Sequence, residues 1–271
     1  MDTNRINRLS LEGDTTRDTT VTSVYREVDT TRDTTVTGVY REVDGVRIYL
    51  DSELGDHIAS MLKSDAVFYG VLDDKEILKP VVEGIIGQQV SHISEIQKQR
   101  PVDATVSGGW FSRIRYDVYA VADGHSINIE LQMAHMQHLE RRAGYYASQL
   151  DYFANPSGEN YELPEVWSVW FTDFAVMPDR DAVLHFKTFD VNRWRPLGDG
   201  RNIVFIDFTR SERIDKAIYG GLSSLCSALD KNATVDRRDD LAMRIAERVK
   251  TYSDKISKEE IFMNADQRDL K

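Results

Sequence analysis

RIRYDVYAVADGHSINIELQ, residues 113–132, holds two alternating runs on either side of Asp123 and Gly124. An Asp-Gly pair between two such runs is the composition of a two-residue type I′ hairpin turn. The turn sets Ala122 against His125. Counting outward by equal steps then puts Asp117 opposite Glu130 and Arg115 opposite Gln132. Because side chains alternate along a strand, Ile114, Tyr116, Val118 and Ala120 are expected on one face with Ile127, Ile129 and Leu131. That face is apolar throughout, which specifies the register. Asp117, Glu130, Arg115 and Gln132 are left on the other.

Directly opposed residues have Cβ atoms about 4.5–5.5 Å apart, and like charges at that spacing destabilise a hairpin. Each carboxylate would raise the pKa of the other. A divalent cation removes the conflict, and hard oxygen ligands suit Mg²⁺ or Mn²⁺. The competing reading is a solvated face on which Asp117 and Glu130 are ordinary surface acids.

Outward from the hairpin, SELGDHIASMLKSDAVF has helical apolar spacing through Leu54, Ile58 and Leu62. KEILKPVVEGIIG predicts a second helix with a broad stripe at Ile77, Leu78, Val81, Val82, Ile85 and Ile86, Pro80 near its first turn and Gly87 as its stop. HISEIQKQ reads as a strand. After the hairpin, HLERRAGYYASQLDYF spaces Leu139, Ala143, Tyr146 and Leu150 for a helix. EVWSVWFTDFAVM and NIVFIDF read as buried strands, and two amphipathic helices close the chain. The class is therefore α/β, with α+β character: a mixed sheet covered by helices, its core in the order αβββαβ.

The first 45 residues differ in kind. DTTRDTTVTSVYREV at 14–28 is repeated at 29–43, with only Ser23 and Gly38 differing. Two copies with little to bury are too few for a solenoid. The expectation is a flexible extension, 1–45, before a folded domain, 46–271. A β-rich adhesive arm is the alternative, since Val, Thr and Tyr favour strands.

A 271-residue chain that is 41% apolar can bury a full core without covalent staples. Its one cysteine, Cys226, excludes an internal disulfide framework and a multi-cysteine zinc site, and fits a cytoplasmic setting. Eighteen uninterrupted apolar residues occur nowhere, so no membrane partner is expected. The net charge of −11 opposes bulk electrostatic coating of DNA but is silent about a small local site.

Other motifs carry less. His135 and His138 in HMQH have helical ligand spacing but no convergent third ligand, and are expected to be exposed or against the hairpin. No phosphate-binding Gly-rich loop and no Gly-x-Ser-x-Gly elbow is present. NRWRPLGDGRN gathers Arg193, Arg195 and Arg201 around Trp194, a composition able to pair with phosphates and stack on bases.

Taken in order, DAVFYGVLDDKEILKPVVEGIIG, IRYDVYAVADGHSINIELQ, RRAGYYASQL and GENYELPEVWSVWFTDF resemble the PD-(D/E)XK nuclease superfamily. Within it, they resemble the PD-(D/E)XK nuclease family transposases, or recombination-promoting nucleases, over roughly residues 50–210. The resemblance implies a restriction-endonuclease-like fold, DNA as partner, and Mg²⁺-dependent or Mn²⁺-dependent endonuclease activity that promotes recombination or transposition. It makes Asp117 and Glu130 the metal-binding acids and adds the backbone carbonyl of Leu131 as a ligand.

Gln132 then takes the superfamily's lysine position, where it can hydrogen-bond a water but supplies no positive charge. Arg115 has charge but too high a pKa for a general base. Arg142, Tyr145, Tyr146, Ser148 and Gln149 match positions where relatives place Arg, paired tyrosines and serine, so Arg142 and Tyr146 join Arg115 as DNA-contact candidates. The alternative makes Tyr146 core and Arg142 a surface ion-pair partner. Glu83 matches a first-helix acid used by some members, or is an exposed helix acid. The missing lysine also leaves open a catalytically silent binding module on the same fold.

Overall fold

The computed structural model describes residues 21–29, 34–43, 46–51, 58–103, 113–154, 163–178, 181–233, 235–236 and 238–266. The expected helical position of Leu54 and the side chain of Ile114 lie outside the described residues.

The 113–132 stretch forms the hairpin its turn residues dictate. Strand β5 (Arg113–Ala122) pairs antiparallel with β6 (His125–Gln132), with Ala122 opposite His125 and Val118 opposite Ile129. Asp123 and Gly124 both have positive φ, 47° and 90°, as a type I′ turn requires. Asp123 also accepts from the backbone N–H groups of Ser91 and His92, pinning the turn to the segment that leads into β4 (Ile93–Asp103).

Around this hairpin a six-stranded mixed sheet assembles in the order β4-β5-β6-β7-β9-β8. β7 (Val166–Thr172) and β9 (Arg201–Asp207) run parallel to β6, while β8 (Val183–Phe186) closes the edge antiparallel to β9. Every residue of β7 is buried. That is the pattern of a strand covered on both faces, and it explains why VWSVWFT reads as continuous rather than alternating apolar sequence.

One face packs on α1 (Asp65–Leu72) and α2 (Lys75–Ile86), and later on α5 (Gly221–Leu229) and α6 (Asp240–Asp266). Only the short α4 (Lys216–Tyr219) and a 3₁₀ turn at Phe208–Arg213 intervene after β9. The other face packs on α3 (Leu139–Ala154), through Leu139, Ala143, Tyr146 and Leu150. This is a mixed α/β, restriction-endonuclease-like fold.

Two helix expectations change. The segment before α1 is helical at residues 58–62 and then breaks at Lys63 and Ser64, so it does not run on into α1. α2 starts at Lys75 because Asp74 caps it, accepting from the Glu76 N–H at 3.0 Å. Pro80 therefore falls in the helix interior rather than near the first turn. Gly87 ends α2 in the left-handed region, φ 78°, as expected.

The repeated segment supplies β1 (Val21–Asp29) and β2 (Thr34–Val43), which pair antiparallel. β2 continues onto β3 (Val46–Asp51), and β3 pairs with β10 (Val235–Asp236), giving a separate four-stranded sheet.

Candidate active site

The strict alternation read from residues 113–122 fails at one residue, Asp117. Val118, Ala120 and Ala122 face α1 and α2, and Tyr119 faces α3, as alternation demands. Tyr116 should then lie with Val118. Instead it is buried on the α3 face, stacked on Tyr119 at 6.2 Å and edge-on to Tyr146 at 5.6 Å.

The neighbouring strand switches at the same level. Lys98 reaches Asp73 and lies over Tyr252 on the α1 and α6 side, whereas Arg100 lies over the Tyr119 ring on the α3 side. Between them Gln99 has φ 49°, a left-handed conformation uncommon for a side-chain-bearing residue. The β4 and β5 strands thus change faces together, and the β5/β6 ladder ends at Val118 and Ile129.

Asp117 and Glu130 are consequently not same-face ladder partners. The strands part there, and the side chains take over the backbone's hydrogen bonds. Asp117 N–H donates to Glu130 Oε1 at 3.1 Å, and Leu131 N–H donates to Asp117 Oδ2 at 3.3 Å. Asp117 approaches from the α1 side, where the Tyr69 hydroxyl hydrogen-bonds to it. Glu130 approaches from the α3 side, with Arg142 Nη2 at 3.7 Å from Oε2.

Glu130 is only 2% exposed. Burial first, and then the charge of Asp117, push its carboxyl up to about 8. Burial also raises Asp117, opposed by the Tyr69 and Leu131 hydrogen bonds. Tyr69 is itself raised, by burial and by Asp117, so it acts as a neutral donor. Two acids that destabilise each other's ionised form, one nearly dry, match the donor chemistry of a hard divalent cation.

Gln132 faces α3 but is not aimed at the carboxylates. Its amide donates to the Ala134 carbonyl at 2.7 Å, and its Oε1 accepts from Arg142 Nη1 at 3.3 Å. Arg142 is the hub: it also donates to Tyr146 Oη at 2.9 Å and lies over the Tyr146 and Trp170 rings, each at 5.1 Å. Tyr146 is buried core and a bracket for Arg142 at once. Arg115 is exposed and sits beside Pro101 of β4, beyond the end of the β5/β6 ladder, so it is not the partner of Gln132.

A profile of PD-(D/E)XK nuclease family transposases matches residues 66–262. The chain belongs to that family. No curated protein and no solved structure matches it. As a PD-(D/E)XK nuclease family transposase, it has a nuclease-like domain whose family implies a DNA substrate. Among the described residues no helix is long and apolar enough to cross a membrane.

Within this family member the lesser candidates fall away from the carboxylates. Glu83 binds Lys79 at 2.9 Å and accepts from Val90 N–H at 3.0 Å, bracing the exit from α2. His135 and His138 are exposed and precede α3 rather than lying on it, with His135 against Phe174. No group of three or more His, Cys, Asp or Glu side chains placed to hold a metal ion occurs among the described residues, so a cation here would rely on two carboxylates and a carbonyl.

No role was expected from the sequence for Tyr69, or for Asp65, whose charge also raises the Asp117 carboxyl. They are four residues apart in DAVFY and so share one face of α1. That spacing was the available signal.

Proposed function

We propose that the chain is a divalent-metal-dependent DNA endonuclease whose breaks promote recombination or transposition. The observation that carries this reading is the opening between β5 and β6, where Asp117 and Glu130 meet with Glu130 raised to about 8. Asp117, Glu130 and the Leu131 carbonyl would hold Mg²⁺ or Mn²⁺. When bound, such an ion lowers the pKa of a water and stabilises charge on the phosphate.

The chain's own residues do the rest. Tyr69 and the Leu131 N–H fix the Asp117 carboxylate, and the Asp117 N–H fixes Glu130. Arg142 supplies the positive charge that Gln132 lacks, close to Glu130 and held by the aromatic rings. A cation in this half-buried setting can stabilise charge developing on the scissile phosphate. Gln132 steadies Arg142 and can release its amide from Ala134 to hydrogen-bond the attacking water.

A second reading, a binding module that no longer cuts, is favoured by that same pair of bonds, because both ends of Gln132 are engaged. Incubating purified protein with supercoiled plasmid and Mg²⁺ or Mn²⁺ separates the two. Nicking that Asp117→Asn and Glu130→Gln each abolish supports the nuclease. Binding without nicking under either ion supports the module.

A further inference from the structure

Six exposed side chains outside the carboxylate opening stand on α3 and on the segment before β9, two parts of the chain tied together by the Asp151–Arg201 ion pair. On α3, Arg141, Tyr145 and Tyr152 are spaced i, i+4 and i+11, so they share the helix's outer stripe. Tyr145 is 44% and Tyr152 58% exposed, in contrast to Tyr146 in the core. The stripe starts beside Arg142 and ends beside Asp151.

Asp151 is ion-paired with Arg201, the first residue of β9. That link roots the segment preceding β9 on the α3 side of the sheet. Glu130 aligns through Trp170 with Phe205, four residues into β9 from Arg201. At about 3.3 Å per residue the root lies roughly 13 Å along the strands from the carboxylates.

The segment, residues 187–199, is exposed along its whole length and yet built. Phe189 bridges Pro196, Asp190 N–H donates to the Arg195 carbonyl at 2.8 Å, and Leu197 N–H donates to the Thr188 carbonyl at 2.9 Å. Trp194 at its tip is 79% exposed with φ 53°, a sparsely populated conformation for a side chain of that size. The local acids are turned inward: Asp190 caps the N–H groups of Asn192 and Arg193, and Asp199 accepts from Thr188. Among the described residues no carboxylate pairs with Arg193 or Arg195.

Separated aromatic rings interleaved with arginines, on a chain of net charge −11, fit a polyanion carrying stackable rings better than they fit an apolar protein face. Stacking needs bases free of their complement. We propose that Arg141, Tyr145, Tyr152, Arg193, Trp194 and Arg195 form a track for an unpaired stretch of DNA strand, leading along α3 away from the carboxylate opening. The track rests on the nuclease reading for its direction, and its test does not require cleavage.

Binding of a fluorescein-labelled oligothymidylate of about 20 nucleotides is measured by anisotropy in EDTA, beside a blunt duplex of equal length. All six side chains are exposed, so the variants are expected to fold, which circular dichroism checks. Tyr152→Ala with Trp194→Ala is expected to weaken single-strand binding at least about tenfold and duplex binding less, since stacking on one base contributes about 1–3 kcal/mol. Arg193→Ala with Arg195→Ala is expected to lower the slope of log K against log salt by about 0.7 for each arginine. Fluorescence of Trp194 is expected to be quenched by the oligonucleotide.

Unchanged affinity in both double variants overturns the track, as does absence of binding by the wild type. Equal losses for strand and duplex overturn it, and so does a change of oligomeric state alone, which would make the surface a self-association patch. Plasmid nicking abolished by Glu130→Gln, alongside unchanged oligonucleotide binding by the track variants, would sink the track and leave the nuclease reading standing.

Discussion

The Asp117 N–H donates to Glu130 Oε1 at 3.1 Å while the Asp117 carboxylate accepts from Leu131 N–H at 3.3 Å. This reciprocal link replaces a backbone ladder pair. It keeps two acids at the sheet opening although they approach it from opposite faces.

The link has a pH signature in metal-free protein. Glu130 has an ordinary value of 4.5 in the unfolded chain and about 8 when folded. Above pH 4.5 the unfolded chain loses that proton and the folded one keeps it, so stability falls as pH rises from 4.5 to 8 and then levels. Glu130→Gln removes the fall. It is expected to be more stable than wild type at pH 8 in EDTA, on the order of 2–4 kcal/mol, and equal near pH 4.5. Urea denaturation at the two pH values checks this.

Adding Mg²⁺ at pH 8 is expected to raise the melting temperature of the wild type but not of Glu130→Gln. A ligand that binds only the folded state stabilises in proportion to the logarithm of its concentration. Equal shifts in both proteins would place the ion elsewhere.

Arg142→Ala is expected to lower the cleavage rate by roughly 10²–10³-fold, the scale seen when one stabilising group is removed from an active site. Arg142→Lys should recover only part, because an ammonium cannot hold Gln132, Tyr146 and Glu130 from one planar fork. Single-turnover cleavage of labelled DNA measures both. Full activity in Arg142→Ala would remove this arginine from the mechanism.

Tyr69→Phe deletes the phenol that holds Asp117. The expected cost is about 1 kcal/mol of stability, together with a higher Mg²⁺ concentration needed for cleavage. A magnesium titration of the cleavage rate shows whether the half-saturating concentration rises.

Gly84 of α2 packs against the backbone carbonyl of Tyr219 and the side chain of Leu222. A methyl there meets backbone, which cannot rotate away. Gly84→Ala is expected to destabilise the protein by about 1–3 kcal/mol through overpacking, despite alanine's better helix propensity. Thermal melting decides the sign.

The turn at Asp123 and Gly124, the register down to Val118 and Ile129, the buried β7, and the Gly87 stop of α2 were all legible in the sequence. Each is fixed by chemistry within a few residues: φ preferences and the alternation or run of apolar side chains. The same rules misplace Tyr116, because alternation presumes an unbroken ladder and this one is interrupted where β4, at Gln99, and β5, at Asp117, change faces together. They also miss Tyr69, whose importance exists only where α1 meets β5. Sequence alone determined which acids stand near the hairpin's open end. Tertiary packing decided that they meet through an opening, with Tyr69 on one side and Arg142 on the other, because strand divergence and helix approach are set by contacts between distant segments.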